Sequence, residues 1–184
     1  MPSRSANAAH MADIPQQIVL KRDRDLEGRG WEIWLRRGFF LLLPLVGLLG
    51  LLNLFGQRPG STTVAANGAS MKVYAPARVR SGLLWEARFH ITAQRDLKEA
   101  TLLLSPGWLE GNTVNTIEPS PVGEASNNGQ LSLDLGHIPA GESYLLFMQF
   151  QTDPINVGHR DASVTLKDGD QTLFRIHRTI TIFP

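Results

Sequence analysis

A chain of 184 residues with 18 Lys and Arg against 17 Asp and Glu carries a formal net charge of +1, has room for one ordinary domain plus appendages, and contains no cysteine. The missing cysteines exclude a disulfide framework, thiolate metal sites and a lipid-anchored lipoprotein. Residues 1–37 hold seven Lys and Arg against five Asp and Glu, and residues 38–184 hold eleven against twelve, so the larger part is nearly neutral and nucleic acid is not an expected partner.

Residues 1–13 are small and polar and read as a disordered tip. Lys21 to Glu27 alternates in charge and reads as solvated, so residues 1–37 are expected to be a short N-terminal segment without a fold of its own. Gly38 to Phe55 then follows as GFFLLLPLVGLLGLLNLF, uncharged, with Asn53 its one strongly polar side chain. At roughly 1.5 Å per residue, about 18 residues span roughly 27 Å, close to the hydrocarbon thickness of a bilayer. A single chain crosses lipid only as a helix, and membrane helices tolerate a proline such as Pro44. A transmembrane helix over 38–55 is therefore expected, with Trp31 to Arg37 able to continue it into the interface.

Trp31, Trp34, Arg36 and Arg37 are the expected membrane-interface anchors. The twenty residues before the apolar run hold Lys21, Arg22, Arg24, Arg29, Arg36 and Arg37, whereas the twenty after it hold only Arg58 and Lys72. This asymmetry predicts a cytoplasmic N-terminus and an extracytoplasmic C-terminal domain, in the cell membrane with a single pass. A cleaved signal peptide is the rival, but it would need a 37-residue basic region and a shorter apolar run. Gly47 and Gly50 are spaced by three rather than four, so they make a weak helix-dimer signal.

Residues 56–70 (GQRPGSTTVAANGAS) read as a flexible tether with a mean reach of roughly 20 Å. From Met71 the pattern turns to period two. Met71, Val73 and Ala75 alternate with Lys72 and Tyr74, and Pro76 is expected to end that run. Leu83, Trp85, Ala87, Phe89 and Ile91 form one face of the clearest half-buried strand, with Glu86, Arg88, His90 and Thr92 on the other. Further strands are predicted over Leu97–Leu104, Val114–Ile117, Leu131–Leu135, Ser143–Gln151, Ala162–Leu166 and Thr172–Phe183. Residues 118–130 read as a long loop, and Lys167-Asp168-Gly169-Asp170 as a hairpin turn. About seven to eight short strands without a helix predict an all-β fold over 71–184, an antiparallel β-sandwich with a barrel as the alternative.

Two segments carry a resemblance. LLLSPGWL at Leu102–Leu109 runs a strand into Pro-Gly-Trp, and LDLGHIPAGESYLLFMQF at Leu133–Phe150 opens an apolar strand from an Ala-Gly-Glu turn. Together they resemble bacterial extracellular immunoglobulin-like domains, including the accessory sandwiches beside secreted glycosidases and in surface repeat proteins. The resemblance covers roughly residues 71–184 and implies an Ig-like fold with a non-catalytic role. It departs from the repeat proteins in having a single copy.

The candidate chemistry is sparse. His159-Arg160-Asp161 matches a kinase tripeptide with no other kinase signature around it. His90, His137, His159 and His177 would have to converge to bind zinc or copper, and no local spacing brings them together. Asp168-Gly169-Asp170 suits weak calcium binding or a plain hairpin turn. Asp134, Glu142 and Asp153 are the carboxylates for an acid–base pair, at separations the sequence does not give. Trp85 lies in the apolar register of its strand and is expected in the core, whereas Trp108 follows a turn and suits either the core or an exposed sugar-stacking platform.

No catalytic, cofactor or metal residues are therefore expected. The sequence points to a membrane-anchored, non-catalytic binding or accessory protein whose partners are the lipid bilayer and another membrane or cell-envelope protein. The alternatives are a transmembrane sensor whose N-terminal segment docks a cytoplasmic regulator, and a metal-binding accessory subunit.

Overall fold

The computed structural model describes residues 30–52, 54 and 57–184, and these form a helix and a two-sheet β-sandwich. The chain divides into two compact units, one up to Leu48 and one from Leu49 onward. The expectations for residues 1–29, Asn53, Phe55 and Gly56 lie outside the described residues.

Helix α1, Gly30–Leu51, both starts and ends earlier than the expected span of 38–55. Trp31 to Arg37 contains neither Gly nor Pro, so nothing in it stops the helix. With 22 residues it is about 33 Å long, and it is apolar enough to cross a membrane. Pro44 lies inside it and none of its residues is buried. The Leu54 N–H donates to the Leu49 carbonyl at 3.1 Å, the six-to-one closure that commonly ends helices.

The strands in chain order are β1 (Arg58–Ala66), β2 (Ala69–Arg80), β3 (Leu84–Ala93), β4 (Leu97–Leu104), β5 (Asn112–Glu118), β6 (Gly123–Asn127), β7 (Gln130–Ile138), β8 (Ser143–Thr152), β9 (Gly158–Asp161), β10 (Val164–Asp168), β11 (Gln171–Ile176) and β12 (Thr179–Phe183). One sheet has the order β5-β8-β3-β2-β12-β9 with β1 also on β2, and the other has the order β11-β10-β4-β7-β6. The chain passes repeatedly from one sheet to the other.

This architecture corrects several expectations. The described residues hold twelve strands rather than seven to eight, Thr172–Phe183 divides into β11 of one sheet and β12 of the other, and Leu83, expected on the buried face of its strand, lies before β3 and is half exposed. Residues 56–70 are not a tether: β1 occupies 58–66 and pairs with β2 along its whole length. Asn67 and Gly68, both at positive φ, make the tight turn that twists two strands into a hairpin. Residues 118–130 are not one long loop, because β6 lies within them and turns into β7 through Asn128-Gly129, again both at positive φ. The sheets are not purely antiparallel, since β12 runs parallel to β2 over Arg78–Arg80. Pro76 does not end its strand. On one edge of β2, pairing with β3 stops at Tyr74 and pairing with β12 begins at Arg78, and on the other edge Pro76 lies opposite Pro59 of β1, a residue that likewise has no N–H to donate.

The core fills the space between the sheets. Met71 and Val73 of β2, Phe89 and Ile91 of β3, Leu102 and Leu104 of β4, Leu133 of β7 and Met148 of β8 are all fully buried. Four aromatic rings form its centre. Trp85 stacks on Phe150 at 4.5 Å between centroids, and Trp108 lies 5.8 Å from Trp85, 5.4 Å from Phe89 and 5.5 Å from Phe150. Trp108 comes from a single 3-10 turn, Pro106–Trp108, where the chain leaves β4 for β5. Each indole N–H finds an acceptor, Trp85 on the Thr152 hydroxyl at 3.0 Å and Trp108 on the Ser163 carbonyl at 3.2 Å.

Arg178, between β11 and β12, fastens the last sheet crossing. Its guanidinium donates to the Val73 and Ala75 carbonyls at 3.1 and 2.7 Å, and burial lowers its pKa. Arg178→Met keeps the side-chain stem but leaves both carbonyls without this donor. Charge-assisted bonds of this kind are worth about 2 kcal/mol, so a fall in Tm of about 10 °C is expected for the solubilised full chain by circular dichroism. An unchanged Tm would mean that water replaces the guanidinium at no cost.

Candidate functional site

Strand alternation puts Val73, Phe89, Leu146 and Met148 in the core, so Tyr74, Arg88 and Phe147 project from the outer face of the seven-stranded sheet. Register aligns them. Tyr74 is opposite Arg88, Arg88 is opposite Phe147, and Phe147 is opposite Glu118. The Arg88 guanidinium lies over the Tyr74 ring at 5.5 Å and pairs with the Glu86 carboxylate. Both charged groups are exposed, so the ion pair contributes little to stability and serves mainly to orient the guanidinium on the ring. One row further along stand Lys72, His90 and the exposed Leu145, again in register.

Beside this row a groove of about 340 Å³ opens, lined by Gln57, Tyr74, Pro76, Leu84, Glu86 and Gln149 among others. Trp85 also lines it, and the Gln57 amide donates to the Leu84 carbonyl at 3.0 Å. The face therefore offers half-buried aromatic surface and a positioned guanidinium, groups that protein-contact surfaces favour.

The residues singled out in the sequence are dispersed. Trp31, Trp34, Arg36 and Arg37 sit in the first turns of α1, exposed, with the Arg37 guanidinium 5.5 Å from the Trp34 ring. His137 contacts Asp96 at 2.7 Å, and His159 contacts the Thr181 hydroxyl at 3.0 Å. His90 is on β3 of one sheet, while His177 follows β11 of the other. Among the described residues no three His, Asp or Glu side chains gather to hold a metal ion. Asp168 accepts from the Glu99 N–H at 3.1 Å and faces Arg95 at 3.5 Å, so its turn is held by protein groups.

Asp134 accepts from the Gly136 N–H at 2.9 Å. Glu142 and Asp153 flank β8 at its two ends, about 30 Å apart, too far for the acid–base pair of a glycosidase. Trp85 and Trp108 are both buried, which excludes either as a sugar-stacking platform. Patterning along the sequence places Arg88 on the outward face of its strand, but not its alignment with Tyr74 and Phe147. The signal for the face was Ser143 to Gln151, where Leu145 and Phe147 fill the register that a half-exposed strand gives to polar residues.

A β-sandwich with an aromatic–cationic outer face, preceded by a helix long and apolar enough to cross a membrane, is the class of protein these features define. No protein-family model and no curated protein matches the chain. Among solved structures it is similar to the chitin-binding domain of a hyperthermophilic chitinase from Pyrococcus furiosus, at 17% identity over 62% of this chain and 100% of that one, with a TM-score of 0.38. It is also similar to the CARDB domain of a Pyrococcus furiosus protein in complex with di-metal ions, at 12% identity over 69% and 96% of the two chains and a TM-score of 0.37. A third similarity is to the C-terminal domain of wzt, at 12% identity over 70% and 81% of the chains and a TM-score of 0.41. Similarity at this level assigns this chain neither a ligand nor a fold family.

Proposed function

We propose that this chain is a non-catalytic accessory protein: an Ig-like sandwich held by α1 at the outer face of a cell membrane, where it contacts another membrane or cell-envelope protein through the Tyr74–Arg88–Phe147 face. The N-terminus lies in the cytoplasm, on the side with the denser Lys and Arg. Trp31, Trp34, Arg36 and Arg37 sit at that inner interface. The observation that carries the reading is the row of Tyr74, Arg88 and Phe147 across three central strands, with Leu145 exposed beside it. Tyr and Arg dominate the energetics of protein interfaces, and an arginine already seated on an aromatic ring loses little freedom on binding.

A photo-cross-linking experiment in native membranes tests this. With the full-length chain, a benzophenone side chain at Gln149 or His90 is expected to give one stoichiometric adduct, and the same group at Arg175 on the other sheet is expected to give none. Arg88→Ala and Phe147→Ala should each lower the yield about tenfold, the loss typical of a central interface residue. Equal adducts from both sheets, or turnover of any substrate by the purified chain, would sink the proposal.

A further inference from the structure

The end of the sandwich that carries the β2–β3 turn and the β8–β9 loop exposes four aliphatic side chains. Leu83 is 47% exposed, Leu84 51%, Ile155 90% and Val157 45%. The two segments are neighbours, since the Gly82 N–H donates to the Thr152 carbonyl at 3.0 Å and the Thr152 N–H to the Leu83 carbonyl at 3.1 Å. The exposure is built in. Between Ile155 and Val157, Asn156 is only 6% exposed and its amide donates to the Glu110 and Gly111 carbonyls at 3.1 and 3.0 Å. Its amide oxygen accepts from Arg160 at 2.8 Å. The loop is thus pinned through its polar residue and holds its apolar ones outward, the reverse of what folding alone would select.

The covalent chain says what lies near this end. Gln57, whose side chain bonds the Leu84 carbonyl, follows the last residue of α1 by six positions. Six residues reach at most about 20 Å even when fully extended. The opposite end of the sandwich, where the Ala93 N–H meets the Glu142 carbonyl, is a strand length or about 30 Å further on.

We infer that Leu83, Leu84, Ile155 and Val157 insert into the headgroup region of the bilayer that α1 crosses, so that the sandwich rests on lipid by this end. Arg78 and Arg80 project nearby, but Glu110 and Asp153 belong to the same end, so the charge there is mixed. Apolar burial therefore drives the contact, and anionic lipid is not required. The orientation leaves the Tyr74–Arg88–Phe147 face lateral, turned along the membrane toward a neighbouring protein. The inference rests on the proposed membrane anchoring by α1.

The chain contains no cysteine, so single-cysteine variants of the full-length protein take one spin label each. Labels at Leu45, Ile155 and Glu142 would be compared in phosphatidylcholine vesicles by their accessibility to oxygen and to a water-soluble nickel chelate. The expected result is a lipid-buried label at 45, a label at 155 with reduced nickel access and raised oxygen access, and a fully wet label at 142. Leu83→Ser with Leu84→Ser should return the label at 155 to water.

A label at 155 as wet as that at 142, with 45 in lipid, overturns the docking but leaves the anchor standing. A wet label at 45 overturns both. A label at 155 that is wet in pure lipid and dry only in native membranes overturns the lipid contact in favour of a protein one.

Discussion

Gly107→Ala is expected to destabilise the sandwich by about 3 kcal/mol or more, a large share of the stability of a domain this size. A Cβ at this position would lie 2.2 Å from the Asp161 carbonyl oxygen and 2.8 Å from its carbonyl carbon and amide nitrogen. All three are backbone atoms, so no side chain can swing away to make room. Nor can the strand retreat. The Asp161 carbonyl accepts the Ser105 hydroxyl at 2.6 Å, its carboxylate accepts the Ser163 N–H at 3.0 Å, and the residue pairs with Thr179 of β12. Gly60→Ala on β1 is the control. A Cβ there meets only the Ala75 carbonyl, at an ordinary 3.6 Å. Urea midpoints of the two full-length variants should differ widely, with Gly60→Ala close to the parent chain. Equal midpoints would show that β9 yields to the turn.

How legible this arrangement was depends on which residues carried it. β3 was read nearly to its bounds because Leu84–Ala93 bury alternate side chains, and β4 to its bounds because Ala100, Leu102 and Leu104 do the same after a register shift that follows Leu97. β1, β6 and β9 were missed for a shared reason. Their sequences, RPGSTTVAA, GEASN and GHRD, lie at or near sheet edges and carry few large apolar side chains, so their backbone pairing leaves little trace in hydropathy. The trace that did exist was in the turns. Asn67-Gly68 and Asn128-Gly129 are hairpin dipeptides, each within a stretch whose polar composition read as loop.

The candidate face was legible only one strand at a time, for a different reason. Tyr74, Arg88 and Phe147 are 14 and 59 residues apart in the chain, and only the register of β2, β3 and β8 makes them a row. The tripeptide His159-Arg160-Asp161 found its explanation at the same level. It is the strand against which Gly107 packs, and its resemblance to a catalytic loop has no counterpart in the structure.

Trp108→Ala should be the other severe lesion, and it separates two readings the sequence left open. As an exposed sugar platform, Trp108 would be removable at almost no cost to stability. As the structure places it, fully buried between Trp85, Phe89 and Phe150 with its indole N–H on the Ser163 carbonyl, its removal should cost about 4 kcal/mol and leave an acceptor unpaired. Trp108→Phe keeps most of the ring contact and loses the hydrogen bond, so it should retain well over half of that stability. The consequence reaches the outer face. Phe89 and Phe150 occupy the inward positions of β3 and β8, while Arg88 and Gln149 occupy the adjacent outward ones, so the packing of these rings supports from behind the strands that carry the face. Trp108→Phe is accordingly expected to preserve the cross-link from Gln149, and Trp108→Ala to lose it together with the folded state. A stable Trp108→Ala variant would place the indole outside the core and return the sugar-binding reading. A stable, folded Trp108→Phe variant that no longer cross-links would show that the geometry of the face depends on the indole N–H as well as on the ring.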